Sequence, residues 1–169
     1  MDIVITKGER EDRIEARRGD GSVAAFRLPH KGPVPHDVVH FFVERALGRR
    51  DGFWGMVAAG RDPAEIGDLA KAAGHASAKR ARAPDADFVA IIQVERLVEA
   101  FEADLWGGGD GHDGVRSMAA AGCAQSLVAP MAIDGATIDQ VRGEIADFRD
   151  RWVALLAGAT VTLDWPLAA

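Results

Sequence analysis

Two histidines four residues apart, His36 and His40, sit in the segment Pro35-His-Asp-Val-Val-His40. On an α-helix residues i and i+4 share a face, so both imidazoles could hold one metal ion, with zinc the common partner of such nitrogen ligands. Asp37 between them makes the order His-Asp-x-x-His, one methylene short of the His-Glu-x-x-His zinc-protease pattern. In that reading Asp37 is the catalytic base acting on water, and a third ligand must come from elsewhere: Glu65, His75, His112 and His30 are the candidates. A plain structural reading stands beside it. Pro35 suits the first helical position and Asp37 complements the positive end of the helix dipole. His36 then lies exposed near the cap, and His40 borders an apolar stripe. Aspartate also reaches less far than glutamate, and Glu65 already has a role at a helix start.

Other segments offer weaker chemistry. Gly109, Gly111 and Gly114 form a literal Gly-x-Gly-x-x-Gly ahead of a helix, where a phosphate could bind. A helix rather than a strand precedes it, however, and Asp110 and Asp113 would repel an anion, so residues 107–114 read as a helix-to-helix connection. Cys123 follows small apolar residues with no base in sight and reads as a buried hydrophobe. Phe53-Trp-Gly-Met56 reads as core, with Trp54 near enough to a turn to reach the surface. Lys79-Arg-Ala-Arg82 reads as a solvated helix end.

These residues must be positioned by the surrounding elements. Residues 2–28 carry three short alternating stretches: Ile3 and Ile5, Ile14 and Ala16, then Ala24, Phe26 and Leu28. Polar or glycine-bearing turns separate them, which predicts an antiparallel meander. Its other face carries Arg13, Glu15, Arg17 and Arg27 and should meet water or a partner. A first helix spans about 35–47 with Val39, Phe42, Val43 and Ala46 inward. Residues 53–60 are apolar and short, and periodicity does not separate helix from strand there. Asp62-Pro-Ala-Glu65 is a helix start, with Asp62 as N-cap and Glu65 as the capping-box partner. That helix should fade into a linker over 76–84. Longer helices follow over 85–106 and 137–156, each with an apolar seam, and a small-residue helix lies between them over 115–124. Thr137 and Gln140 suggest a second capping box. A last strand over 160–165 should rejoin the sheet. The expectation is an α+β fold: three or four antiparallel strands from both ends of the chain, with about five helices on one face, in a single domain over 1–169.

Composition bounds the function. The 169 residues are 48% apolar and 27% charged, ordinary for a globular chain. A net charge of -6 works against nucleic-acid or anionic-membrane surfaces. No apolar run approaches the ~18–20 residues that span a bilayer, and no secretory signal is evident, which suggests the cytoplasm. One cysteine excludes an internal disulfide and a multi-cysteine zinc site. Arginine outnumbers lysine, and alanine and glycine are abundant, as in GC-rich bacteria. Two function classes follow. The first is a non-enzymatic binding or assembly module without a cofactor, forming a homodimer that covers surplus apolar seams. The alternative is a small zinc-dependent hydrolase built on His36, Asp37 and His40.

Overall fold

Among the described residues, four strands and six helices follow in the order β1 (Asp2–Thr6), β2 (Glu11–Arg17), β3 (Val23–Pro29), α1 (His36–Ala46), α2 (Phe53–Ala58), α3 (Pro63–Arg80), α4 (Ala86–Gly107), α5 (Asp113–Gln125), α6 (Gly135–Ala154) and β4 (Thr160–Asp164). The structure, a computed structural model, describes residues 1–80, 83–108 and 111–166, with the side chains of 73–80 and 87 outside the description. It is the expected α+β arrangement. The sheet order is β3-β2-β1-β4 and every pairing is antiparallel. β4 lies beside β1, so the two ends of the chain close one sheet.

Alternation explains the sheet's two faces. Ile3, Ile5, Ile14 and Ala16 are fully buried, and the register places Ile5 opposite Ile14 and Ile14 opposite Phe26. A one-residue slip would turn this set to solvent. Outward residues pair across the other face, Arg13 and Arg17 with Glu15 at 2.8 and 3.0 Å and Arg27 with Glu11 at 2.5 Å. Aromatic contacts join the inner face to the helices: Phe41 of α1 meets Trp165, Phe42 meets Phe148 of α6, and Phe26 of β3 meets Phe53 and Trp54 of α2. α1 is packed on α4 and α6, which buries His40 and leaves His36 half-buried at the edge of the helical layer.

The structure resolves one open sequence reading and corrects several others. The ambiguous stretch 53–60 is helical over Phe53–Ala58, because Glu44 on the neighbouring helix accepts from the backbone N–H groups of Phe53 and Trp54, both at 2.9 Å, and so caps α2. The linker expected over 76–84 is instead helical through Arg80, since alanine, lysine and arginine are good helix formers; Arg82 lies outside the described residues. α6 starts two residues before Thr137. Asp134 is its N-cap and accepts from Thr137 N–H at 2.7 Å, while Gln140 bonds Glu144 rather than closing a box. Asp62 does cap α3, accepting from Ala64 and Glu65 N–H at 2.8 and 3.3 Å, but the Glu65 side chain is exposed. Trp54 is fully buried and donates its Nε1–H to Asp37 O at 2.6 Å.

Candidate metal centre

α1 begins at His36, and Pro35 is its N-cap (φ -59°, ψ 135°) and not the first helical residue expected from the sequence. From there the i, i+4, i+8 row places His36, His40 and Glu44 along one face. α4 packs across that face and contributes its own row, Glu95, Glu99 and Glu102. The two rows meet. Ligand atoms of His36, His40 and Glu95 all lie within 4.8 Å of one another. His40 Nε2 donates to Glu95 Oε2 at 3.2 Å, and His36 Nε2 stands 3.6 Å from Glu95 Oε1. Ligands bound to zinc at about 2.0–2.2 Å in tetrahedral geometry lie about 3.3 Å apart; each of these two contacts is near that edge length, to a different oxygen of Glu95, while the three-residue set spans up to 4.8 Å.

The opposite ring nitrogens are also held. His36 Nδ1 donates to Glu102 Oε1 at 2.9 Å, and His40 Nδ1 donates to Glu44 Oε1 at 3.0 Å. A carboxylate only accepts, so each Nδ1 carries a proton, and His40 donates from both ring nitrogens; replacing the Nε2 proton would free that lone pair for a metal. Carboxylates backing histidine ligands in this way fix the tautomer and the ring orientation in metal sites. The rings themselves are edge-to-face, with centroids 4.8 Å apart.

Without a metal, a proton balances the charge here. Burial opposes a charge on His40, but hydrogen bonds and attraction from Glu44 and Glu95 outweigh it and lift the imidazole to about 10. Glu95 moves the opposite way: burial favours its neutral form, yet the bond and charge of His40 hold it at about 2. A metal at this point replaces one cation with another between the same carboxylates.

Asp37 faces the neighbouring cavity and is 7% exposed; burial raises its carboxyl above the ordinary range, against the pull of His40 and His36. It lies outside the cluster of His36, His40 and Glu95. The candidate third ligands are placed elsewhere. His30 bonds the buried Asp12 at 2.7 Å. His112 bonds Asp139 of α6 at 2.9 Å. Glu65 is exposed on α3, and the side chain of His75 lies outside the described residues. The third position belongs to Glu95, which sequence reasoning missed. Its signal was present: carboxylates at 95, 99 and 102 follow helical spacing, as Glu44 does after His40.

Cys123 is buried, which pushes its thiol up and away from the reactive thiolate. Within 107–114, Gly109 and Asp110 lie outside the described residues; Gly111 O accepts from Arg142 Nη2 at 2.7 Å, fastening that part of the connection to α6. No helix among the described residues is long and apolar enough to cross a membrane.

An apolar cavity of about 860 Å³ opens beside the centre, with His36, Asp37, His40 and Glu95 on one wall and Phe26, Phe53, Ile66 and Ile91 on others. No family model matches the chain, and no curated protein or solved structure matches it either, so the chemistry of the site rests on its own geometry.

Proposed function

We propose that the protein binds one divalent metal ion, zinc foremost, through His36, His40 and Glu95, and uses it to hydrolyse a small ester or amide held in the adjoining cavity. The observation that carries this reading is the pairing of both histidines: each presents Nε2 to Glu95 while a separate carboxylate holds its Nδ1. A structural ion pair needs one such contact; two converging imidazoles with individually fixed tautomers suit a metal. Three protein ligands leave a coordination position open, as in catalytic rather than structural zinc sites. A bound ion would supply Lewis acidity for the carbonyl. Asp37, on the same cavity wall, takes a proton from water as its oxygen adds to the carbonyl carbon. The bond to the leaving group then breaks, and the proton passes to the departing alcohol or amine.

The test is metal analysis of untagged protein followed by zinc titration after chelation. One equivalent of zinc, lost in His36→Ala, His40→Ala and Glu95→Ala, is expected. Failure to bind any divalent ion ends this reading. Zinc binding without turnover of 4-nitrophenyl butyrate above the Asp37→Asn variant would end the hydrolase part. The same architecture accepts iron(II), and iron in the purified protein would redirect the chemistry to oxygen.

Self-association has separate support in Val153 and Leu156, which are 63% and 82% exposed at the end of α6. We place the protein in the cytoplasm and read it as bacterial on composition.

A further inference from the structure

We propose that the ligand of this cavity is a small carboxylate with an apolar body, and that Lys31 binds its carboxylate group. The inference rests on the metal reading and extends it by naming the class of acid that hydrolysis of such an ester or amide would release. The volume of about 860 Å³ lies within the roughly 300–1,000 Å³ of small-molecule sites. Phe26 and Leu28 of β3, Phe53 of α2, Ile66 of α3 and Ile91 of α4 line it, which favours an apolar body.

The charges around it select the other end. Arg27, Lys31, Lys71 and Arg96 border the cavity, as do Asp37, Asp68, Glu95 and Glu99. Arg27 is paired with Glu11, Lys71 with Asp68 and Arg96 with Glu99. Glu95 is paired with His40. Lys31 makes no ion pair or hydrogen bond among the described residues. It stands on the β3–α1 loop at the meeting point of three hollows: the main cavity, a second that includes Glu102 and Trp106, and a third beside Trp152. His36 and Glu95 line the first two as well, so Lys31, itself exposed, borders the same hollows as the candidate metal ligands.

A lysine ammonium is a compact point charge, suited to one carboxylate. A cationic ligand would meet Lys31 unfavourably. A neutral ligand would leave it unused. A dianion would bring a second charge to a cavity whose other bordering cations, Arg27, Lys71 and Arg96, already have carboxylate partners. A monoanion with an apolar tail satisfies both the walls and the mouth.

Calorimetric titration of the full chain with octanoate and with 1-octanol, zinc-loaded and after chelation, tests this. Octanoate should bind at least tenfold more tightly than 1-octanol. Lys31→Met should erase that preference while leaving zinc affinity and 1-octanol affinity unchanged. Equal affinities in the unaltered protein, or no binding of either probe, overturn the proposal. So does a preference that survives Lys31→Met; if it also requires zinc, the carboxylate sits on the metal. A Lys31-dependent preference in a protein that takes up no zinc supports the ligand class and removes the metal reading alone.

Discussion

Glu44 is a fully buried side chain with several partners at once. It accepts from His40 Nδ1 and from the N–H groups of Phe53 and Trp54, so it joins a candidate metal ligand to the start of α2. Glu44→Ala leaves those donors without a partner in the interior. Removing one member of a buried charge pair costs about 3 kcal/mol or more, and loss of a residue backing a metal ligand weakens affinity roughly 10–100-fold. Urea denaturation and zinc titration of the variant measure the two effects separately. Glu95→Gln should weaken zinc binding far more than Glu99→Gln, because Glu99 is spent on Arg96 at 2.6 Å rather than on the histidines. Equal effects of these two substitutions would show that the row of carboxylates acts only through its summed charge.

The elements that hold these residues depend on close approaches. A Cβ at Gly52 would lie 2.6 Å from Glu44 Oε2, so Gly52→Ala must push the buried carboxylate off the start of α2. Its φ of -88° is open to any residue, so contact alone is responsible. We expect Gly52→Ala to lower both thermal stability and zinc affinity, whereas Gly67→Ala, with nothing near its Cβ, should change neither downward. At Gly55 the obstacle is the backbone of Arg50, which cannot swing aside, so Gly55→Ala should destabilise α2 by shifting its backbone, including the Gly55 N–H that donates to Glu44 Oε2 at 3.4 Å. The α6 cap gives a pH test. The bond from Thr137 holds the Asp134 carboxyl below its ordinary value of 3.8. Its stabilising effect is therefore complete above that value and is lost as pH falls through the lowered pKa. Asp134→Ala should reduce the melting temperature near pH 6 and lose most of that deficit at pH values below the lowered pKa, measured by circular dichroism.

At the scale of the whole molecule, the long seams find their partners within the chain. Ile138, Val141, Ile145, Phe148 and Trp152 of α6 and Val94, Leu97, Val98 and Phe101 of α4 are buried in one cluster with the sheet and α1. The surplus apolar surface that motivated a dimer is absent from these seams, and Val153 and Leu156 remain as the exposed alternative. If they mediate association, Leu156→Asp should convert a concentration-dependent dimer to a monomer in sedimentation equilibrium; a monomer at every concentration of the unaltered chain removes the reading.

Strand alternation, glycine turns, proline starts and three-four spacing act over a few residues, so the sheet, most helices and the shared face of His36 and His40 were legible in the sequence. The fate of 53–60 was not, because its cap is Glu44, nine residues earlier at its closest. Nor was the third ligand. Glu95 lies 55 residues from His40, and its spacing with Glu99 and Glu102 reads equally well as a solvated helix face until α1 is laid across it. Local chemistry set which residues share a face. Packing of α4 on α1 decided which faces meet, and only that decision turned a histidine pair and an acidic stripe into a candidate metal centre.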